Sequence, residues 1–184
     1  MEQFSKTDMA VTYLQKTIVF HTLRFTGKYP FKTITELIYK KEYILFLTQV
    51  CYASVYGELP FKEKFFIDYH DDRNRIQFEY IEKNRYKEKK KPPFIEAELK
   101  EMINYVLDTY WSYSENLLCW ISLTRFRSVR MAAINSHCDN PRSFISNEEI
   151  KKDLEESNDF VKSCQEGIEK WREQKNTQAR HLIR

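Results

Sequence analysis

A mainly α-helical single domain is the fold class this sequence predicts, and three observations predict it. Only 3 glycines and 5 prolines occur in 184 residues, few turn-formers for a sheet-rich chain of this length. Apolar residues recur at helical spacing over several long segments. Hydrophobic residues make up 42% and aromatics 15%, enough for one packed core without disulfide or metal staples.

Taken in order, the first helix starts from a cap at Thr7 or Asp8 and runs to about Thr26. Ala10, Val11, Leu14, Ile18 and Phe25 share one stripe, and Gly27 stops it. A second helix covers about Ile34 to Tyr56. From Tyr43 it is apolar on every side (YILFLTQVCYASVY), which places it at the centre of the domain, and Gly57 and Pro60 end it. FFIDYHDDRNRIQFEYI changes period: Phe65, Ile67 and Tyr69, then Ile76, Phe78 and Tyr80, alternate around a turn at Asp71 to Asn74. A small β-hairpin at about 64–81 is the reading, with a helix from Asn74 onward as the alternative. The charged, proline-closed KNRYKEKKKPP (83–93) reads as a linker. A third long helix follows from about Ile95 to Tyr110, with Leu99, Met102, Ile103, Val106 and Tyr110 on its stripe. Ser112 with Glu115 makes a capping-box pattern for the next, and HCDNPR (137–142) reads as a loop. Ser146 with Glu149 is a second capping box, opening a closing helix over 147–175 whose stripe is Ile150, Leu154, Val161, Cys164, Ile168 and Trp171. That stripe suits either the core or a dimer seam, leaving monomer and homodimer both open.

Composition also bounds function. With 30 basic and 27 acidic residues the net charge of +3 does not by itself imply nucleic acid. Four scattered cysteines (51, 119, 138 and 164) form no CxxC pair, which fits free thiols in a reducing cytoplasm. MEQFSKTDM lacks the basic-then-apolar layout of a signal peptide, and the longest uncharged run, Tyr43 to Tyr56, has 14 residues, too short for a bilayer. No membrane association is expected.

Chemistry is sparse. His137-Cys138 is the sole His/Cys neighbour pair, so no metal or other cofactor is expected. His21 sits within an apolar stripe and reads as a core histidine. The acids of His70-Asp71-Asp72 read as turn-formers before they read as a general base. There is no glycine-rich phosphate loop, GxSxG, HExxH or Walker-type lysine, and the chain is read as no enzyme. Arg85, Lys87, Lys89, Lys90 and Lys91, with Tyr86 among them, are the nucleic-acid alternative, weighed against a solvated linker.

LTRFRSVRMAA (123–133) is the most informative stretch. If 117–134 form one helix, Leu117, Trp120, Ile121, Met131 and Ala132 share an inward face and Arg125 falls among them. Arg127 and Arg130 then point outward. A guanidinium on a core face keeps its proton and must find hydrogen-bond partners, so Arg125 is expected in a buried or groove-lining contact. The alternative is a helix that breaks near Thr124 and restarts after Ser128.

Several segments, in order, resemble the Panacea domain, the SocA-like, phage-associated antitoxin domain. They are DMAVTYL (8–14), ILFLTQVCYASVYGELPF (44–61), VLDTYWSYSENL (106–117), LT (123–124) and FISNEEIKKDL (144–154). The resemblance spans about residues 8–154, so residues 1–154 are expected to form the Panacea-like helical domain and 155–184 a C-terminal helical extension of it. Where the family has Gly-Pro-Val, this chain has His70, Asp71 and Asp72, and Arg125 stands in place of the family's histidine. The resemblance implies a cytoplasmic, non-catalytic protein-interaction module of a toxin–antitoxin system, neutralising a toxin or host factor by direct binding. A phage-encoded inhibitor of a bacterial defence system, such as a defence nuclease, or a nucleic-acid-binding regulator is the alternative. The partner-binding candidates are Tyr110, Trp111, Tyr113, Arg125, Arg127 and Arg130, residue types that dominate interface energies.

Overall fold

From Tyr43 to Tyr52 every side chain of the second helix is buried, so this helix lies inside the domain, not along its edge. The computed structural model describes the backbone of residues 5–26, 34–70, 73–84, 94–138 and 142–182, and their side chains except at 19–26, 34–39, 70, 73, 82–84, 138 and 180–182. In chain order its elements are α1 (Lys6–Thr26), α2 (Ile34–Tyr56), β1 (Phe65–His70), β2 (Arg73–Phe78), α3 (Glu79–Asn84), α4 (Ala97–Tyr110), α5 (Glu115–Arg125), α6 (Arg127–Cys138), β3 (Arg142–Ile145), α7 (Asn147–Glu156) and α8 (Asn158–Leu182). The fold is mainly helical with one small antiparallel sheet, as the sequence predicts.

The central α2 packs against α1, α4, α5, α7, α8 and β2. Its buried polar groups are satisfied: Thr48 donates to the Ile44 carbonyl at 2.8 Å, and Gln49 accepts from the Phe61 amide at 3.0 Å. Gln49 also donates to Asn147 Oδ1 at 3.1 Å, tying the start of α7 to the core. Gly57, with φ of 75°, supplies the left-handed stop. The cap of α1 falls at Ser5, not at Thr7 or Asp8: the Asp8 amide donates to Ser5 Oγ and the Ser5 amide to Asp8 Oδ2, both at 3.1 Å. The cap of α5 is Ser114 and not Ser112, its side chain accepting from the Leu117 amide. The Ser146–Glu149 capping box forms as read.

The hairpin forms, with Phe65 opposite Phe78 and Ile67 opposite Ile76, and all four side chains are buried. The chain turns helical at Glu79, so Tyr80 and Ile81 belong to α3 instead of the strand. A third strand, where a loop was expected to end, pairs with the other edge of β1 to give the order β2-β1-β3. There α6 covers β1 and β3.

Residues 117–134 form two helices, as the alternative of a break near Thr124 has it, and the closing helix breaks as well. Phe126 is extended (φ −116°, ψ 117°) and separates α5 from α6. Its ring is fully buried, edge-on to Phe46 at 5.3 Å and to Phe160 at 5.0 Å. The buried Asp153 carboxylate caps the new helix from across the fold, accepting from the Ser128 amide at 2.9 Å and from Ser128 Oγ at 2.5 Å. Ser157 breaks the closing helix between α7 and α8, and redirects the chain so that Phe160 reaches Phe126. The closing stripe serves the core: Ile150, Leu154, Cys164 and Ile168 are buried, with Val161 and Trp171 packed against them.

Candidate functional site

The break at Phe126 sets which faces α5 and α6 present. Inward on α6 lie Ser128, Val129, Ala132, Ala133 and Ser136, all buried. These are mostly small, and small residues let the helix approach the sheet closely. Outward, at i, i+3, i+4 and i+7, lie Arg127, Arg130, Met131 and Ile134. On α5 Leu118 and Ser122 point inward, while Leu117, Trp120 and Thr124 form the outer row. The two helices run in series and touch where Phe126 joins them. Their outer rows expose Trp120 at 62%, Ile134 at 51%, Met131 at 43% and Leu117 at 39%.

The one-helix reading holds for Ala132, which is buried, but not for the larger residues it placed inward. Leu117, Trp120 and Met131, read as core-facing, are on the solvent side. Arg125 is exposed like Arg127 and Arg130, and makes no buried contact. It is the last residue of α5, and Phe126 takes the inward place that helical phase gave to the arginine. Arg130 donates from Nη1 to the Leu123 carbonyl at 3.3 Å, which covers the C-terminal end of α5.

The electrostatics of the two helices are one-sided. Their single carboxylate is Glu115, and it faces Arg75 of β2 at 3.5 Å, away from the arginines at the other end of α5. Among α5 and α6 residues, nothing acidic therefore offsets Arg125, Arg127 and Arg130.

The remaining candidates separate from this face. Trp111 is 4% exposed and belongs to the core, with Lys40 Nζ 4.7 Å over its ring, so it cannot be a presented anchor. Tyr110 and Tyr113 are half-buried and meet edge-on at 5.8 Å, and burial pushes the Tyr110 hydroxyl pKa well up. Arg85, Lys87, Lys89, Lys90 and Lys91 lie outside the described residues, as do Asp71, Asp72 and the side chains of His21, His70 and Cys138. His137 is exposed, its ring 3.9 Å from that of Tyr69. Among the described residues no three His, Cys, Asp or Glu side chains converge on a metal site, and no helix is long and apolar enough to cross a membrane.

A groove of about 410 Å³ runs between α4 and α8, lined by Tyr105, Asp108, Gly167, Trp171 and Lys175 among others. Its one carboxylate is already engaged: Asp108 Oδ2 accepts from Trp171 Nε1 at 2.9 Å and from Lys175 Nζ at 2.9 Å. The groove is a stapled seam, and the α5–α6 face remains the candidate site. No family model matches this chain, and neither a curated protein nor a solved structure matches it.

Proposed function

We propose that this chain is a non-catalytic protein-interaction module that neutralises a toxin or host factor by direct contact, in the manner of the Panacea-type antitoxins its motifs resemble. The observation that carries the interaction reading is the outer face of α5 and α6. Trp120, Leu117, Met131 and Ile134 are exposed there together with Arg125, Arg127 and Arg130. Single exposed apolar residues are ordinary, but among the described residues most of the large exposed ones fall on these two consecutive helices, which favours an interaction surface there. Tryptophan and arginine are also the side chains that most often dominate binding energy. An inhibitor of a host defence nuclease would use the same surface, because only the partner differs.

Affinity capture from the native source tests the proposal, with the unaltered chain and Trp120→Ala run in parallel. One stoichiometric protein should accompany the unaltered chain and be lost with the variant. Recovery of no protein by the unaltered chain, or equal recovery by both, counts against it.

A further inference from the structure

We propose that Cys51 of α2 and Cys164 of α8 form a redox latch, a thiol pair that closes to a reversible disulfide and fixes the last helix on the central one, whatever the α5–α6 face binds. Proximity gives the first argument. The two sulfurs lie 3.4 Å apart although 113 residues separate them in the chain. A disulfide needs about 2.0 Å, so the sulfurs must approach by only about 1.4 Å, within reach of side-chain rotation.

Register gives the second argument. Gln165, next to Cys164, donates from Nε2 to the carbonyl of Ser54, about one turn beyond Cys51, at 2.8 Å. About two turns further along α8, Arg172 Nη2 donates to Tyr56 Oη at 3.1 Å. These bonds hold α8 against α2 at the height where the thiols meet. Cys119 is the internal contrast: its thiol donates to the Asn74 carbonyl at 3.4 Å, and among the described residues it meets no second sulfur. A metal role for the pair ranks lower. A structural zinc site takes four ligands, and among the described residues no third His, Cys, Asp or Glu joins the two sulfurs.

Burial sets how the latch works. Cys51 is fully buried and Cys164 nearly so. The hydrogen bond to Cys164 and burial hold the Cys51 thiol well above its ordinary pKa, so the closed pair is a poor nucleophile. An oxidant such as hydrogen peroxide therefore meets the thiols when α8 lifts from α2. One sulfur attacks a peroxide oxygen and the O–O bond breaks, leaving a sulfenic acid and a hydroxide that departs as water with the thiol's proton. As the helix closes, the second sulfur attacks the sulfenic sulfur. The S–S bond forms, the S–O bond breaks, and a second water carries away the remaining thiol proton. Two thiols and one peroxide thus give one disulfide and two waters, and a dithiol reverses the reaction by exchange. Phe160 lies one turn before Cys164 and meets Phe126, so the closed latch also steadies the α5–α6 joint from behind.

The test exposes the folded, purified full chain to hydrogen peroxide, alkylates the remaining thiols after denaturation, and maps the peptides by mass spectrometry. A peptide pair joined through Cys51 and Cys164 should appear. The melting temperature should rise by about 5–15 °C and return to its starting value with dithiothreitol. Cys119→Ser, Cys138→Ser, which keeps the pair as its only thiols, should give the same bond and the same shift. The inference is overturned if the folded chain forms no Cys51–Cys164 bond, or forms it only after unfolding in urea. A bond that leaves the melting temperature unchanged or lowers it, or a shift that the folded double variant lacks, overturns it equally.

Discussion

The seam between α4 and α8 and the outer face of α5 and α6 are both helix pairs rich in aromatic and charged residues, yet they are finished differently. In the seam the charged groups that meet across the two helices are paired: Asp108 with Trp171 and Lys175, and Glu101 with Arg172. Arg172 forks onto Glu101 (Nε to Oε1 at 3.0 Å, Nη2 to Oε2 at 2.6 Å), and also reaches Glu169 at 2.5 Å and Tyr56 at 3.1 Å. A Cβ added to Gly167 would collide with Tyr105 Oη, so the two helices approach through that glycine. On the outer face, by contrast, tryptophan, isoleucine and methionine are exposed beside arginines that no carboxylate of their own helices meets. A completed surface belongs to folding, and an incomplete one is available for binding.

Substitutions should divide along that line. Phe126→Ala, at the buried joint of α5 and α6, should cost most, about 3–5 kcal/mol in urea unfolding. Next comes Asp153→Ala, which strips the acceptor from the buried Ser128 hydroxyl and amide and should cost about 1–3 kcal/mol. Arg172→Ala should cost about 1 kcal/mol, because its ion pairs are partly solvated. The same pair predicts a pH effect. The Arg172 hydrogen bonds hold the Glu101 carboxyl below its ordinary value of 4.5. A carboxyl depressed on folding stabilises above that ordinary value, and the gain disappears as pH falls through the folded one. Stability should therefore drop on acidification below about 4.5, and Glu101→Gln should make the drop shallower. The smallest stability effects belong to the outer face: Trp120→Ala, Arg125→Ala and Arg127→Ala should each stay within about 0.5 kcal/mol of the unaltered chain. An Arg125→Ala loss well above that of Arg127→Ala would restore the buried role that helical phase alone gave it.

What was legible in the sequence is what local chemistry decides. The bounds of α2, the hairpin registers around Ile67 and Ile76, and the Ser146–Glu149 box follow from periodicity and capping within a few residues. The rest depends on distant partners. The four residues of β3 become a strand because β1 offers an edge about 75 residues earlier in the chain. A break near Thr124 is one of two readings of the sequence; what settles it at Phe126 is Phe46, Phe160 and Asp153, none of them near in sequence. Once the helix breaks, size misleads: Met131 and Trp120 look like core, but the inner positions need Ser128, Ala132 and Ser136, small residues that let α6 lie close on the sheet. The spacing of those three at i, i+4 and i+8 was the available signal. Trp111 misleads in the opposite sense, an aromatic at a helix end that is core and not surface.

The central claim is that the α5–α6 face binds a partner and carries little of the fold. It is tested most directly by measuring the partner affinity and the melting temperature of Trp120→Ala together. Trp120→Ala should lose about 2 kcal/mol in binding, roughly thirtyfold, at an unchanged melting temperature. Full affinity, or a fall in melting temperature that accounts for the lost binding, would contradict it.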